Sequence, residues 1–231
     1  MFFWDPMYLV FALPALLLAF YAQARVQGAY RKYTRVANSR GVTGLQAAKY
    51  LLDSVGLSFL NIEGTPGELS DHYDPRSKTL RLSPAVARQP SVASLSIVAH
   101  EIGHALQDAE GYAPLRIRSG LVPAVTVGSW VGPILFVVGL LMASPTLAWA
   151  GVVAFAGAAV FALVTLPVEF NASRRGLALL RQSGLLTTEA ELKGAKAVLD
   201  AAALTYVAAL AQSLSTLLYY IFLLSGMRRE D

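Results

Sequence analysis

Four apolar stretches of membrane-spanning length predict a mostly α, polytopic membrane protein with four transmembrane helices and a small cytoplasmic α+β part. Composition agrees. Of 231 residues 55% are hydrophobic and only 15% are charged, against about 25% charged in soluble domains. The cations that remain sit beside the apolar stretches, where they read as membrane orientation rather than as a nucleic-acid surface.

The first span is expected over 6–22 (PMYLVFALPALLLAFYA), short but sufficient. A cleaved signal peptide is the rival reading. The five residues before it carry no Lys or Arg, and no small-x-small cleavage site follows. An uncleaved span bent at Pro14 is therefore expected. Arg25, Arg31, Lys32, Arg35 and Arg40 follow at once and mark the cytoplasmic side, which puts the N-terminus outside.

A cytoplasmic region is expected over 25–120. Thr43 with Gln46 forms a capping box, and Gly56 suits the end of the helix between them, with Leu45, Ala48, Leu52 and Val55 as its buried stripe. Residues 57–62, 69–73 and 79–82 read as strands of a small antiparallel sheet, with Asp74-Pro75-Arg76-Ser77 as a turn. In an enzyme, an edge of that sheet can pair with an extended substrate. Ser83-Pro84 and Ser91 read as helix starts, the second helix running to about Glu110 before Gly111.

Arg116 and Arg118 precede a transmembrane hairpin over 121–166, whose two spans turn at Ser144-Pro145-Thr146. Gly128, Gly132 and Gly139 with Ala154, Gly157 and Ala158 allow close helix contact. A second cytoplasmic region, 167–202, contains another capping box, Thr188 with Glu191. The fourth span covers 203–225. Arg228 and Arg229 then fall outside, a mild exception to the charge rule.

The chemistry concentrates in His100-Glu101-Ile102-Gly103-His104. Two of the three histidines lie here, one helical turn apart, so both imidazoles leave one face. Two neutral imidazoles so placed can hold Zn²⁺, and Glu101 stands beside them to take a proton from water activated by the metal. This is the H-E-x-x-H pattern of zinc peptidases. With no cysteine in the chain, any zinc must be held by His and carboxylate. A third ligand is needed. His72 is one candidate. Glu169, at the mouth of a span, is the better one, its alternative role being a glutamate favoured near a helix N-terminus. Ser173, one turn on, can bond a ligating histidine as a supporting partner. His72, Tyr112, Arg174 or Arg175 can donate to an oxyanion.

The chain resembles the YugP-type membrane zinc metallopeptidases, also called neutral zinc metallopeptidases. The resemblance rests on D-H-Y-D-P-R at Asp71–Arg76, A-H-E-I-G-H-A-L-Q-D-A-E-G-Y at Ala99–Tyr112, P-L-R-I-R-S at Pro114–Ser119 and V-E-F-N-A-S-R-R at Val168–Arg175. It implies a gluzincin-like zinc peptidase core in which Glu169 opens an E-x-x-x-[DS] helix as the third ligand. Many gluzincins carry Asp where this chain has Ser173. Zinc is the implied cofactor, and peptides or proteins, membrane proteins among them, are the implied substrates, cleaved near the bilayer; no nucleic-acid partner is implied. The contrasting reading is a zinc-stabilised membrane scaffold or adaptor without turnover. That reading needs a closed site with a fourth ligand such as His72 or Asp108. A transporter is disfavoured, because the four predicted spans contain no Asp, Glu, Lys, Arg or His.

Overall fold

The computed structural model describes residues 6–227. The first five residues and the Arg228-Arg229 pair lie outside the described residues. Ten elements follow in order: α1 (Pro6–Thr34), α2 (Gly44–Ser54), β1 (Asn61–Gly64), β2 (His72–Asp74), β3 (Thr79–Leu82), α3 (Pro84–Arg88), α4 (Val92–Ala109), α5 (Ala113–Leu141), α6 (Pro145–Gln182) and α7 (Glu189–Met227). They form two compact units. One comprises 6–22, Arg116–Pro167 and 205–227; the other comprises Gln23–Leu115 and Val168–Leu204.

The first unit is apolar. α1, α5, α6 and α7 are each long and apolar enough to cross a membrane. α5 and α6 form a hairpin whose backbones touch through glycine. A side chain at Gly139 would fall on Ala148, and one at Gly132 would lie 2.8 Å from the Phe155 nitrogen. Gly151 adds a third such contact against Phe136, while Gly157 stands clear with only a Val125 methyl at 3.8 Å. The Phe136 ring stacks on Tyr220 at 3.9 Å.

Two helices extend past their apolar stretches. α1 does not stop at residue 22 but carries Arg25, Arg31 and Lys32 on the same helix to Thr34. α6 runs through Pro167 to Gln182, so Glu169 sits inside a continuous helix rather than opening one. Proline removes one helical hydrogen bond. Burial of Val168, Ala172 and Leu180 on the following turns offsets that loss and holds the helix together.

The second unit contains the sheet and the short helices. α2 starts as expected: the Gln46 N–H donates to Thr43 Oγ1 at 3.3 Å, and the Thr43 N–H donates to Gln46 Oε1 at 2.9 Å. Gly56 takes φ +72° just past the end of the helix, a conformation that glycine adopts without strain. The buried face is Ala47, Ala48, Leu51 and Leu52, whereas Leu45 is 38% exposed. The expected stripe was thus rotated by part of a turn, because α2 packs on α3 and α4 through its i, i+1, i+4 and i+5 positions.

The sheet is mixed rather than antiparallel. Its order is β1-β3-β2, with β1 parallel and β2 antiparallel to β3. The reason lies in the loop after β1. The Thr65 N–H donates to Leu82 O at 2.9 Å. At the far end of the loop, Asp71 accepts from the Ser83 N–H at 2.7 Å and from Ser83 Oγ at 3.0 Å. Both loop ends are therefore tied to the end of β3. The loop passes over β3, and the turn at Pro75–Lys78 returns the chain between its two neighbours.

Glu191 joins α7 to the loop after α1. Its carboxylate accepts from the backbone N–H groups of Ser39 (2.6 Å), Thr187 (2.9 Å) and Thr188 (2.9 Å). The Glu191 N–H donates back to Thr188 Oγ1 at 3.2 Å, completing the expected capping box. Burial pushes the carboxyl pKa up, but these donors outweigh it and bring it down to about 2. A depressed carboxylate stabilises the fold above its unfolded pKa, and that contribution is lost as pH falls through the folded value. Hydrogen bonds to a charged group contribute about 1.5–3 kcal/mol. Glu191→Ala is thus expected to lower stability by about 2–3 kcal/mol at neutral pH. Thermal melts of the two proteins should converge as pH drops from about 4.5 towards 2.

Candidate metal centre

α4 opens at Ser91, whose Oγ accepts from the Ser94 N–H at 3.1 Å. The helix is deeply buried: Val92, Ala93, Leu95, Val98, Ala99 and Ile102 are all at 0% exposure. One turn separates His100 from His104, and their rings meet edge to face at 4.7 Å. α6 brings the carboxylate. Glu169 is 1% exposed, and its Oε2 lies 3.2 Å from His100 Nε2 and 3.4 Å from His104 Nε2. These three residues form a group whose ligand atoms all lie within 4.8 Å of one another. His72 is not in that group.

The donor set fits zinc. Tetrahedral coordination with bonds of about 2.05 Å puts neighbouring ligand atoms about 3.3 Å apart, which matches both carboxylate–imidazole separations. The imidazoles turn Nε2 inward and keep Nδ1 for partners behind them. His100 Nδ1 lies 3.1 Å from Ser173 Oγ, and His104 Nδ1 lies 3.0 Å from Gln107 Oε1. Burial raises the Glu169 pKa, but bonds from the two imidazoles outweigh it and leave the group well below the usual carboxylate range, in the ionised ligand form.

Glu101 lies on the same helix, close enough to His100, His104 and Glu169 to interact with their charges. It is buried, and its Oε2 accepts the Tyr73 N–H from β2 at 2.9 Å. Burial is the main reason its pKa is raised, against the lowering effect of the two histidines. The β2–β3 hairpin is fastened to the same helix face one step further on. Tyr73 Oη donates to Asp108 Oδ2 at 2.7 Å, and Lys78 Nζ donates to it at 2.6 Å.

The remaining sequence candidates have other contacts. His72 is exposed, with its Nδ1 2.8 Å from Ser70 O. Arg174 is exposed, and its Nε donates to Phe170 O on its own helix at 3.3 Å. Tyr112 is half-buried just past α4, its N–H bonded to Gln107 O at 2.8 Å. Arg175 pairs in bidentate fashion with Glu110 at 2.7 Å on both nitrogens, and its Nε donates to Asn171 Oδ1 at 2.7 Å.

Sequence reasoning passed over three features. Gln107, at 0% exposure, is three residues after His104, a spacing that places it on the same face. Tyr73 supplies the N–H that holds Glu101. Glycine lets the two metal-bearing helices meet: a Cβ at Gly103 would fall on the Ala172 carbonyl oxygen, and one at Gly176 would lie 2.8 Å from the Ala99 carbonyl.

A multi-pass membrane protein with a His-His-Glu cluster is the class that these helices and this site define. The chain belongs to the family described as "Putative neutral zinc metallopeptidase", whose model matches residues 8–225. It is also similar to "Putative membrane protease YugP" of Bacillus subtilis (strain 168), 40% identical over 225 residues, covering 97% of this chain and 100% of the relative. No solved structure matches it.

Proposed function

We propose that this chain is a membrane-embedded zinc endopeptidase with a gluzincin-like core, in which His100, His104 and Glu169 hold the metal and Glu101 is the general acid–base group. The observation that carries the reading is the convergence of Glu169 Oε2 on the two Nε2 atoms at 3.2 and 3.4 Å. A zinc ion held there supplies Lewis acidity, polarising the scissile carbonyl and bringing the pKa of water from 15.7 to about 7. Glu101, anchored by the Tyr73 N–H at one carboxylate oxygen, accepts the proton of the attacking water at the other and passes it to the leaving amine nitrogen. No covalent acyl-enzyme is formed. Ser173 steadies His100 from behind. Asp108, which a closed four-ligand scaffold site would recruit, is already bonded to Tyr73 and Lys78, and this supports an open coordination position.

Purified wild type is expected to hold about one zinc per chain and Glu169→Ala to lose it. Zinc retained by Glu169→Ala but lost by His72→Ala would move the third ligand to His72. The cation cluster at Arg25, Arg31, Lys32, Arg35 and Arg40 supports a cytoplasmic site with the N-terminus outside, and membrane-proximal protein segments as substrates. A reporter fused after residue 60 is expected to read cytoplasm; an external signal would reverse the orientation.

A further inference from the structure

We infer that Gln107 is a positioning residue of the metal centre: it fixes the tautomer of His104 and joins the histidine-bearing helix to the glutamate-bearing one. The inference rests on the zinc reading above. Its basis is a buried amide with both N–H donors and its oxygen engaged. Gln107 is at 0% exposure. Its Nε2 donates to Val168 O at 2.8 Å and to Asn171 Oδ1 at 3.0 Å, both on α6. Its Oε1 lies 3.0 Å from His104 Nδ1.

The orientation of this amide is forced. A backbone carbonyl can only accept, so the Gln107 NH₂ must face Val168. Asn171 is oriented in the same way by Arg175, whose Nε–H can only donate and points at Asn171 Oδ1 at 2.7 Å. With its nitrogen committed to α6, Gln107 presents its oxygen to His104. Nδ1 of His104 then carries a proton, so when zinc is bound Nε2, 3.4 Å from Glu169 Oε2, is the nitrogen free to ligate it. His100 has no such constraint. Its partner is the Ser173 hydroxyl at 3.1 Å, which can donate or accept. One histidine is therefore pre-set as an Nε2 ligand by a buried amide, and the other is adaptable.

The same side chain couples metal binding to helix pairing. Val168 and Asn171 flank Glu169 in sequence, so Gln107 grips α6 on both sides of the third ligand. A neutral amide does this without adding charge, whereas a carboxylate would face the Val168 carbonyl oxygen with no proton to offer.

Two measurements on the full-length protein in detergent test the inference. The first is zinc affinity, by competition with a chromogenic chelator, for wild type, Gln107→Met and Gly28→Ala, where the added methyl meets nothing within 4 Å. Methionine keeps the volume of the side chain and removes all three bonds. Loss of a partner behind a ligating histidine weakens metal affinity about 10–100-fold. That loss is expected for Gln107→Met at unchanged helix content, with Gly28→Ala unaffected. Affinity within about twofold of wild type would overturn the inference while leaving the zinc site in place. If wild type itself binds no zinc, both fall together. The second measurement does not depend on the variant folding. With only three histidines in the chain, ¹⁵N-histidine labelling gives a spectrum simple enough to assign. The zinc-loaded wild type is expected to show His104 protonated at Nδ1. A proton on Nε2 would overturn the assignment.

Discussion

Glu101→Gln is expected to bind zinc as wild type does and to lose proteolysis. The amide is nearly isosteric with the carboxylate. Its oxygen still accepts the Tyr73 N–H, which now lies 2.9 Å from Oε2, so the packing between β2 and α4 is retained. What it lacks is a site to take the proton from water. General acid–base groups contribute about 10²–10⁴-fold to rate, and kcat is expected to fall by that factor. Proton transfer belongs to the transition state alone, so KM should change little. The informative comparison is with Glu169→Ala, which is expected to lose activity together with the metal. Two variants with equal inactivity but opposite zinc content separate the base from the ligand. Full proteolysis by Glu101→Gln at full zinc occupancy would remove Glu101 from the chemistry, whereas full biological activity of this variant without proteolysis would favour the scaffold reading.

How much of this site could be read from the chain depends on sequence distance. His100, Glu101 and His104 are contiguous, so helical geometry alone puts the imidazoles on one face, and the pattern is visible before folding. Glu169 comes from another helix and was reached by considering which carboxylates or histidines lie near a span, together with the family resemblance. Gln107 could not be found that way. Its partners are Val168 and Asn171 across the helix interface, and a glutamine three residues after a histidine carries no signal by itself. The four apolar helices and the caps at Thr43, Ser83, Ser91 and Thr188 were legible because each is a local rule. The sheet was less so. Strands of three and four residues are too short for alternation to fix pairing, and the parallel pairing of β1 depends on the tie between Asp71 and Ser83. The continuity of α6 through Pro167 was hidden for a similar reason, since the burial that offsets the proline exists only in the folded unit.

The glycine inside the motif leads to the second large effect. Gly103→Val is expected both to destabilise the second unit and to weaken zinc binding. A side chain at this position falls on the carbonyl oxygen of Ala172, a backbone atom within a helix that cannot rotate aside. α4 and α6 must separate instead. Overpacking of this kind costs about 1–3 kcal/mol. It also carries a functional penalty, because the same interface sets the distance from Glu169 to the histidines. Metal sites tolerate ligand displacements of about 0.2 Å, less than the shift needed to seat a valine. Gly28→Ala is the contrasting variant. Gly28 lies inside α1, and a Cβ there meets nothing within 4 Å. Replacing a helix-interior glycine with alanine is expected to stabilise by about 0.5–1 kcal/mol without touching zinc affinity. Thermal melts in the zinc-free state and chelator competition in the loaded state check both variants. If Gly103→Val melts and binds zinc like wild type, the two helices do not approach as closely as Gly103 and Gly176 indicate, and the ligand spacing must be held by something other than their contact.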